Sequence, residues 1–215
     1  MATSRTRKPA APRKSSQGKT KTRSKRVLDT MAPHELASIL RAVLDKHPEL
    51  CAEAEQIAID MIAAPSADDV ADEVHAAVTS LGIESFLGRT GKQARGYVGP
   101  SEAAWELLGE AVEDQISAMK RCADLGLKEA AEAICCGILI GLNRAEGTNS
   151  DGPLGSAPDF PAEQARYALV ELIRASPPKD RRAIRDRLVD SLGNLVPSWD
   201  EMMRWAADGA LKGGR

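Results

Sequence analysis

Apolar side chains recur along this chain at intervals of three and four residues, the spacing of one helical face. Pro33 sits at a first helical turn and is followed by Leu36, Ile39, Leu40, Val43 and Leu44. Pro48 opens a second helix with Leu50, Ala54, Ile57, Ala58, Met61 and Ile62 on one side, ending before Pro65. Ser66, with Asp69 three residues later in a relative of the capping box, opens a third. Its inward positions are Val70, Val74, Ala77, Val78 and Leu81, with Gly82 at the end. Gly82 to Gly99 holds five glycines with Arg89, Lys92 and Arg95 and reads as an irregular connector. Ser101 is placed to cap a long fourth helix carrying Ala104, Trp105, Leu108, Val112, Ile116, Met119 and Ala123, stopped by Gly126.

The fifth helix runs from Leu127 to about Arg144 and is apolar on more than one face over Ile134 to Leu142, which makes it the expected most buried element. Gly147 to Phe160 is rich in turn formers and reads as a loop. Pro161 begins a sixth helix with Ala165, Ala168, Leu169, Leu172 and Ile173, and Pro177-Pro178 breaks it. The seventh, Lys179 to Leu192, turns Ile184, Leu188 and Leu192 inward and Arg181, Arg182, Arg185 and Arg187 outward. Ser198 with Glu201 forms a capping box for a last helix bearing Trp199, Met202, Met203, Trp205 and Ala206. No stretch alternates with a period of two between turn residues, so no sheet is expected. The fold class is all-α: an irregular stack of antiparallel helical hairpins, solenoid-like or a bundle. No fixed-period repeat supports an ideal tetratricopeptide array.

Composition sharpens this picture. The chain has 215 residues, 34 of them alanine, with 43% hydrophobic but only 3% aromatic residues, and alanine lets helix axes approach closely. Four cysteines are too few and too scattered for a disulfide scaffold. The longest uncharged apolar stretch, Ala133 to Leu142, is half the roughly 20 residues that span a bilayer, so no membrane partner is expected.

The near-neutral net charge of −2 hides an asymmetry. Arg5, Arg7, Lys8, Arg13, Lys14, Lys19, Lys21, Arg23, Lys25 and Arg26 face no acid within the first 26 residues, leaving 19 basic against 31 acidic residues in the rest. That segment has no apolar residue larger than alanine after Met1, so a disordered tail is expected. It lacks the apolar region of a secretory signal and the amphipathic face of a transit peptide. These ten side chains are the candidate contacts to nucleic-acid phosphates, alongside readings as a solubilising tail or a nuclear-import-type address. The expected organisation is a basic tail over 1–26 and one all-helical domain over 27–215, with the connector 82–99 and the loop 147–160 inside it. The expected compartment is the cytoplasm of a bacterium, or the nucleus of a eukaryote.

Several short motifs fall in a particular order. His47-Pro48-Glu49-Leu50 follows a Leu-rich helix, and Phe86 precedes the connector. Ala123-Asp124-Leu125-Gly126-Leu127 ends the long helix, and the helix Glu129 to Leu142 leads to Asn149-Ser150-Asp151-Gly152. From about Leu36 to Ile173 the chain resembles the helical, tetratricopeptide-like region that accompanies SWIM-type zinc fingers in bacterial proteins. The paired cysteines and Cys-x-His of the finger itself are absent, so the resemblance implies a helical interaction region and no zinc site.

Candidate chemistry is sparse. Cys135 and Cys136 are adjacent and point about 100° apart on a helix, which suits one metal ion poorly. Their flanks Ile134, Gly137 and Ile138 favour a buried small hydrophobe over a thiolate. Cys51 lies near Glu49 and Glu53, and Cys122 near a helix C-terminus, and both settings oppose the anion. His34, His47 and His75 lack ligand spacing, and His47 before Pro48 suits a turn cap. Asp68-Asp69-Asp72-Glu73 and Glu110-Glu113-Asp114 read as solvated faces. Asn149 to Gly152 lacks the alternating acids of a calcium loop. Gly88 to Lys92 lacks both the Walker spacing and a preceding strand. No catalytic, cofactor-binding or metal-ligating residue is assigned. An interaction scaffold with an unknown protein partner is the first reading, and a nucleic-acid-associated protein binding backbone phosphates through the tail is the second. An enzyme is the third, disfavoured because no nucleophile–base pair emerges.

Overall fold

The structure, a computed structural model, describes residues 27–93, 96–148 and 151–212. Its helices are α1 (Pro33–Lys46), α2 (Cys51–Ile62), α3 (Ala67–Thr79), α4 (Ile83–Leu87), α5 (Pro100–Asp124), α6 (Lys128–Ala145), α7 (Pro153–Ser156), α8 (Phe160–Ala175), α9 (Arg181–Leu195) and α10 (Asp200–Lys212). Between α4 and α5 lie two short strands, β1 (Gly91–Gln93) and β2 (Gly96–Val98). The fold is all-α. By contact the chain divides into two units, Met1–Ala52 and Glu53–Arg215.

In the first unit, α1 starts where Pro33 fits the first turn and the Glu35 carboxylate accepts the Ala32 N–H at 2.8 Å. The helix ends at His47, whose N–H reaches the Val43 carbonyl at 2.9 Å. His47 also occupies the N-cap position of the 3-10 turn Pro48–Leu50, where its carbonyl accepts the Leu50 N–H at 3.0 Å while its side chain makes no cap bond and instead lies with Nδ1 3.0 Å from Glu49 Oε1.

In the second unit, α6 is the axis. It packs against α3, α5, α8 and α9 and buries Ile134, Cys135, Ile138, Leu139 and Leu142 among others, on more than one face, as its composition predicted. A solenoid repeat touches only its sequence neighbours. One helix surrounded by four others is the bundle alternative.

The tightest crossing is α3 on α6, made possible by Gly137 and Gly141 one turn apart. A Cβ on Gly137 would sit 2.7 Å from the Ala67 carbonyl oxygen, and one on Gly141 2.6 Å from that of Ala71. The turn from α5 to α6 follows from Gly126 at φ +76°, a left-handed conformation suited to glycine. Leu127 N–H bonds to Cys122 O at 2.9 Å and Gly126 N–H to Ala123 O at 3.0 Å, the two bonds of a Schellman motif.

Four expectations need correction. The connector 82–99 contains α4 and an antiparallel hairpin pairing Gly91 with Val98, Lys92 with Tyr97 and Gln93 with Gly96. Strands of three residues are too short to display an alternating pattern. The loop 147–160 folds at α7 and buries Pro153, Leu154 and Ala157, because one apolar helical turn closes over α5. Trp105 is 37% exposed, since the inward face of α5 runs through Ala104, Leu108 and Val112 and the next position lies about 100° away. Its ring still meets buried Phe160 edge-on, with centroids 5.0 Å apart. The caps also shift: α5 begins at Pro100 after Gly99, and Ser198 lies in the 3-10 turn Pro197–Trp199 with its Oγ accepting from Asn143 Nδ2 at 3.0 Å. Ser66 does cap α3, accepting the Asp69 N–H at 3.3 Å.

Candidate interaction surfaces

The apolar spacing that is buried in α3, α5, α6 and α8 appears again on α1 and α2, yet neither of those helices has a buried residue. On α1, Leu36, Leu40 and Val43 are exposed, with Leu40 at 53%. On α2, Ile57 is 53% and Met61 81% exposed, one turn apart on the face that also carries Ala54, Ala58 and Ile62. Each helix therefore carries an apolar stripe facing solvent.

Several cationic side chains behave in the opposite way and are paired within the molecule. Arg187 holds Glu132 of α6 in a two-pronged pair, and Arg185 holds Asp186 and Asp208. Arg181 donates to the Ser176 carbonyl at 3.0 Å and the Arg174 carbonyl at 2.7 Å, tying α9 to the end of α8. These contacts hold the Arg185 and Arg187 guanidiniums above their ordinary range. Three of the four α9 arginines, an outward-facing cluster by sequence, thus have intramolecular acceptors.

The acidic clusters are similarly engaged. Arg144 reaches Asp72 at 2.8 Å and Asp68 at 3.7 Å, and Glu73 accepts from Gln115 at 2.6 Å. Arg89 forms a forked pair with Glu110, at 2.7 and 2.8 Å, which fastens the connector to α5 and holds that carboxyl below its usual range. Sequence reading missed these partners, which lie 21 to 76 residues apart.

Burial governs the thiols. It pushes the Cys135 thiol well up and Cys136, with help from Glu132, to about 11. Burial raises Cys122 as well. Protonated thiols are poor nucleophiles and poor ligands. Among the described residues no three His, Cys, Asp or Glu are grouped so as to hold a metal ion, and no helix is long and apolar enough to cross a membrane.

One cleft of about 420 Å³ is lined by Arg182, Arg185, Asp186, Asp208, Leu211 and Lys212. Another, a mixed cleft of about 410 Å³, lies between α8 and α10, lined by Arg166, Tyr167, Val170, Arg174, Trp205 and Gly209. Trp205 is 74% exposed there, although the apolar spacing counted it among the residues of the last helix. The buried face of that segment runs Trp199, Met203, Ala206, Ala207 and Ala210, and Trp205 lies two positions round from Met203, on the far side. The ten basic residues from Arg5 to Arg26 lie outside the described residues, as do Asn149 and Ser150. No family model, no curated protein and no solved structure matches this chain.

Proposed function

We propose that this chain is a non-enzymatic helical interaction scaffold, or adaptor, with a polybasic arm, and that the apolar stripe of α1 in the first unit and that of α2 in the second are each a protein-docking surface. One observation carries the reading: both helices keep the spacing of a buried face and bury nothing. Each fully buried Leu or Ile is worth about 1.5–3 kcal/mol, and exposed stripes of this kind mark surfaces that another molecule covers. Helices recognised in a groove present anchors at this same spacing. The resemblance to helical regions beside SWIM-type zinc fingers points the same way. The test is quantitative capture from nuclease-treated extract with the wild-type chain and with a variant carrying Leu40→Glu and Ile57→Glu. Both positions are exposed, so the fold tolerates the change. Proteins held by the wild type and lost by the variant support the reading. An unchanged set refutes it.

A second reading is a nucleic-acid-associated protein, binding backbone phosphates without sequence preference through the arm. What favours it is the distribution of cations. Three of the four α9 arginines are spent on intramolecular acceptors, while Arg5 to Arg26 carry ten positive charges without an acid among them. If about half of those charges reach phosphates, log affinity for duplex DNA falls with log salt at a slope of about −4 to −5. A chain starting at Val27 then loses duplex binding, and binding that survives the truncation contradicts the arm's role.

A further inference from the structure

We infer that the cleft between α8 and α10 is a stacking site for a base and its phosphate in single-stranded nucleic acid. It is separate from the α1 and α2 stripes and does not depend on the docking role proposed for them. Its volume of about 410 Å³ falls within the roughly 300–1,000 Å³ of small-ligand clefts.

Two features of its lining select the occupant. The first is aromatic. Trp205 and Tyr167 are 74% and 44% exposed, and neither ring stacks on another among the described residues. A tryptophan with three quarters of its surface in water has an unused π-face, the platform on which unpaired bases of any identity stack. The second is charge. Arg166 and Arg174 stand two turns apart on α8 with Val170 between them, at the spacing of one helix face. Arg166 is paired with Glu163 at 2.6 Å. The Arg174 guanidinium has no carboxylate partner among the described residues, although its neighbours Arg181, Arg185 and Arg187 all have acceptors.

Glu171 on α8 is paired with Lys120 at 3.0 Å and Asp208 on α10 with Arg185, while Glu201, one turn before Trp205, has no cation partner among the described residues. Arg174 is a cation without a carboxylate partner beside two open aromatic faces. Small residues make room for the ligand: the wall of α10 is Ala206, Gly209 and Ala210, and a Cβ on Gly209 would meet nothing within 4 Å. An anion that joins a flat aromatic group to its charge through a short linker, as a nucleotide joins base to phosphate through its sugar, fits this arrangement. The N-terminal segment favours a nucleic acid over an acidic peptide, because its ten cations have no aromatic residue to read an unpaired base. The cleft supplies that stacking partner. A duplex keeps its bases stacked on each other, so the cleft contributes to single strands alone.

The experiment measures affinity by fluorescence anisotropy for an end-labelled 12-mer oligothymidylate and for a duplex of equal length, using full-length protein at fixed salt. Trp205→Ala and Arg174→Gln are each expected to weaken single-strand binding about tenfold and leave duplex binding unchanged. Trp205→Phe restores most of the single-strand affinity because it keeps a π-face. Gly209→Leu, which projects into open space, fills the cleft and reproduces the loss while the protein melts as the wild type does. Single-strand affinity equal to wild type in Trp205→Ala and Gly209→Leu overturns the assignment. So does an equal loss for single strand and duplex. A Glu- and Tyr-containing peptide bound by the wild type and lost in these variants, with oligothymidylate binding untouched, would give the cleft to a protein ligand and also overturn it.

Discussion

A Cβ placed on Gly137 would lie 2.6 Å from the Cβ of Val70, closer than two carbon atoms approach without something moving. The neighbouring obstacle is the Ala67 carbonyl at 2.7 Å, which belongs to the backbone of α3 and cannot swing aside as a side chain can. The α3–α6 crossing therefore depends on glycine at this point. Gly137→Ala should destabilise the protein by about 1–3 kcal/mol despite alanine's better helix propensity. Gly109, on α5, is the control, because a Cβ there meets nothing within 4 Å. Gly109→Ala should stabilise by about 0.5–1 kcal/mol. Urea midpoints at constant slope decide between them, and a Gly137→Ala protein as stable as wild type would contradict the close approach.

Ile138, fully buried on α6, tests the centre of the bundle. Ile138→Ala should cost about 2–5 kcal/mol. Leu40→Ala on α1, at 53% exposure, should cost under about 0.5 kcal/mol. Equal losses at the two sites would mean that α1 is packed as tightly as α6.

The thiol of Cys136 is held up to about 11 by burial and the nearby Glu132 carboxylate. At pH 8 only about one molecule in a thousand carries the thiolate. Alkylation at Cys136, followed by peptide mass spectrometry, should be slow at pH 8 and rise about tenfold per pH unit through pH 10. A rate that levels off near pH 8.5 would mean that the thiol is solvated as in a free peptide.

Much of this was legible in the sequence, for reasons that can be traced to particular residues. The two-faced apolar run Ile134 to Leu142 marked the central helix, because a helix that is apolar around most of its circumference has no side left for water. Gly126 marked the α5–α6 turn because the left-handed conformation there favours glycine. Gly137 and Gly141 passed unremarked, since a glycine in a helix looks the same whether it admits a neighbouring backbone or faces solvent. Trp105 and Trp205 were counted with apolar residues one or two positions away, and only the packing reveals which side of that narrow boundary a large ring takes. The pairs Arg187–Glu132 and Arg89–Glu110 join distant segments, and nothing local in the chain announces them. The spacing on α1 and α2 is that of one helical face, and its exposure, which only the structure reveals, is what motivates the docking proposal.

Salt bridges on this surface should matter little one at a time. Arg89→Gln removes a forked but exposed pair with Glu110 and should change stability by under about 1 kcal/mol. Thermal melts at low and high salt check this, and a larger loss would show that the connector is part of the folding core.

The most direct test of the docking reading is hydrogen exchange over α1 and α2, Pro33–Lys46 and Cys51–Ile62, with and without a protein captured by the wild-type chain and purified. The account predicts that amides of these two helices slow by tenfold or more on binding. It also predicts that the Leu40→Glu, Ile57→Glu variant neither binds nor shows that protection. Protection confined to α8 and α10, or unchanged binding by the variant, would contradict it.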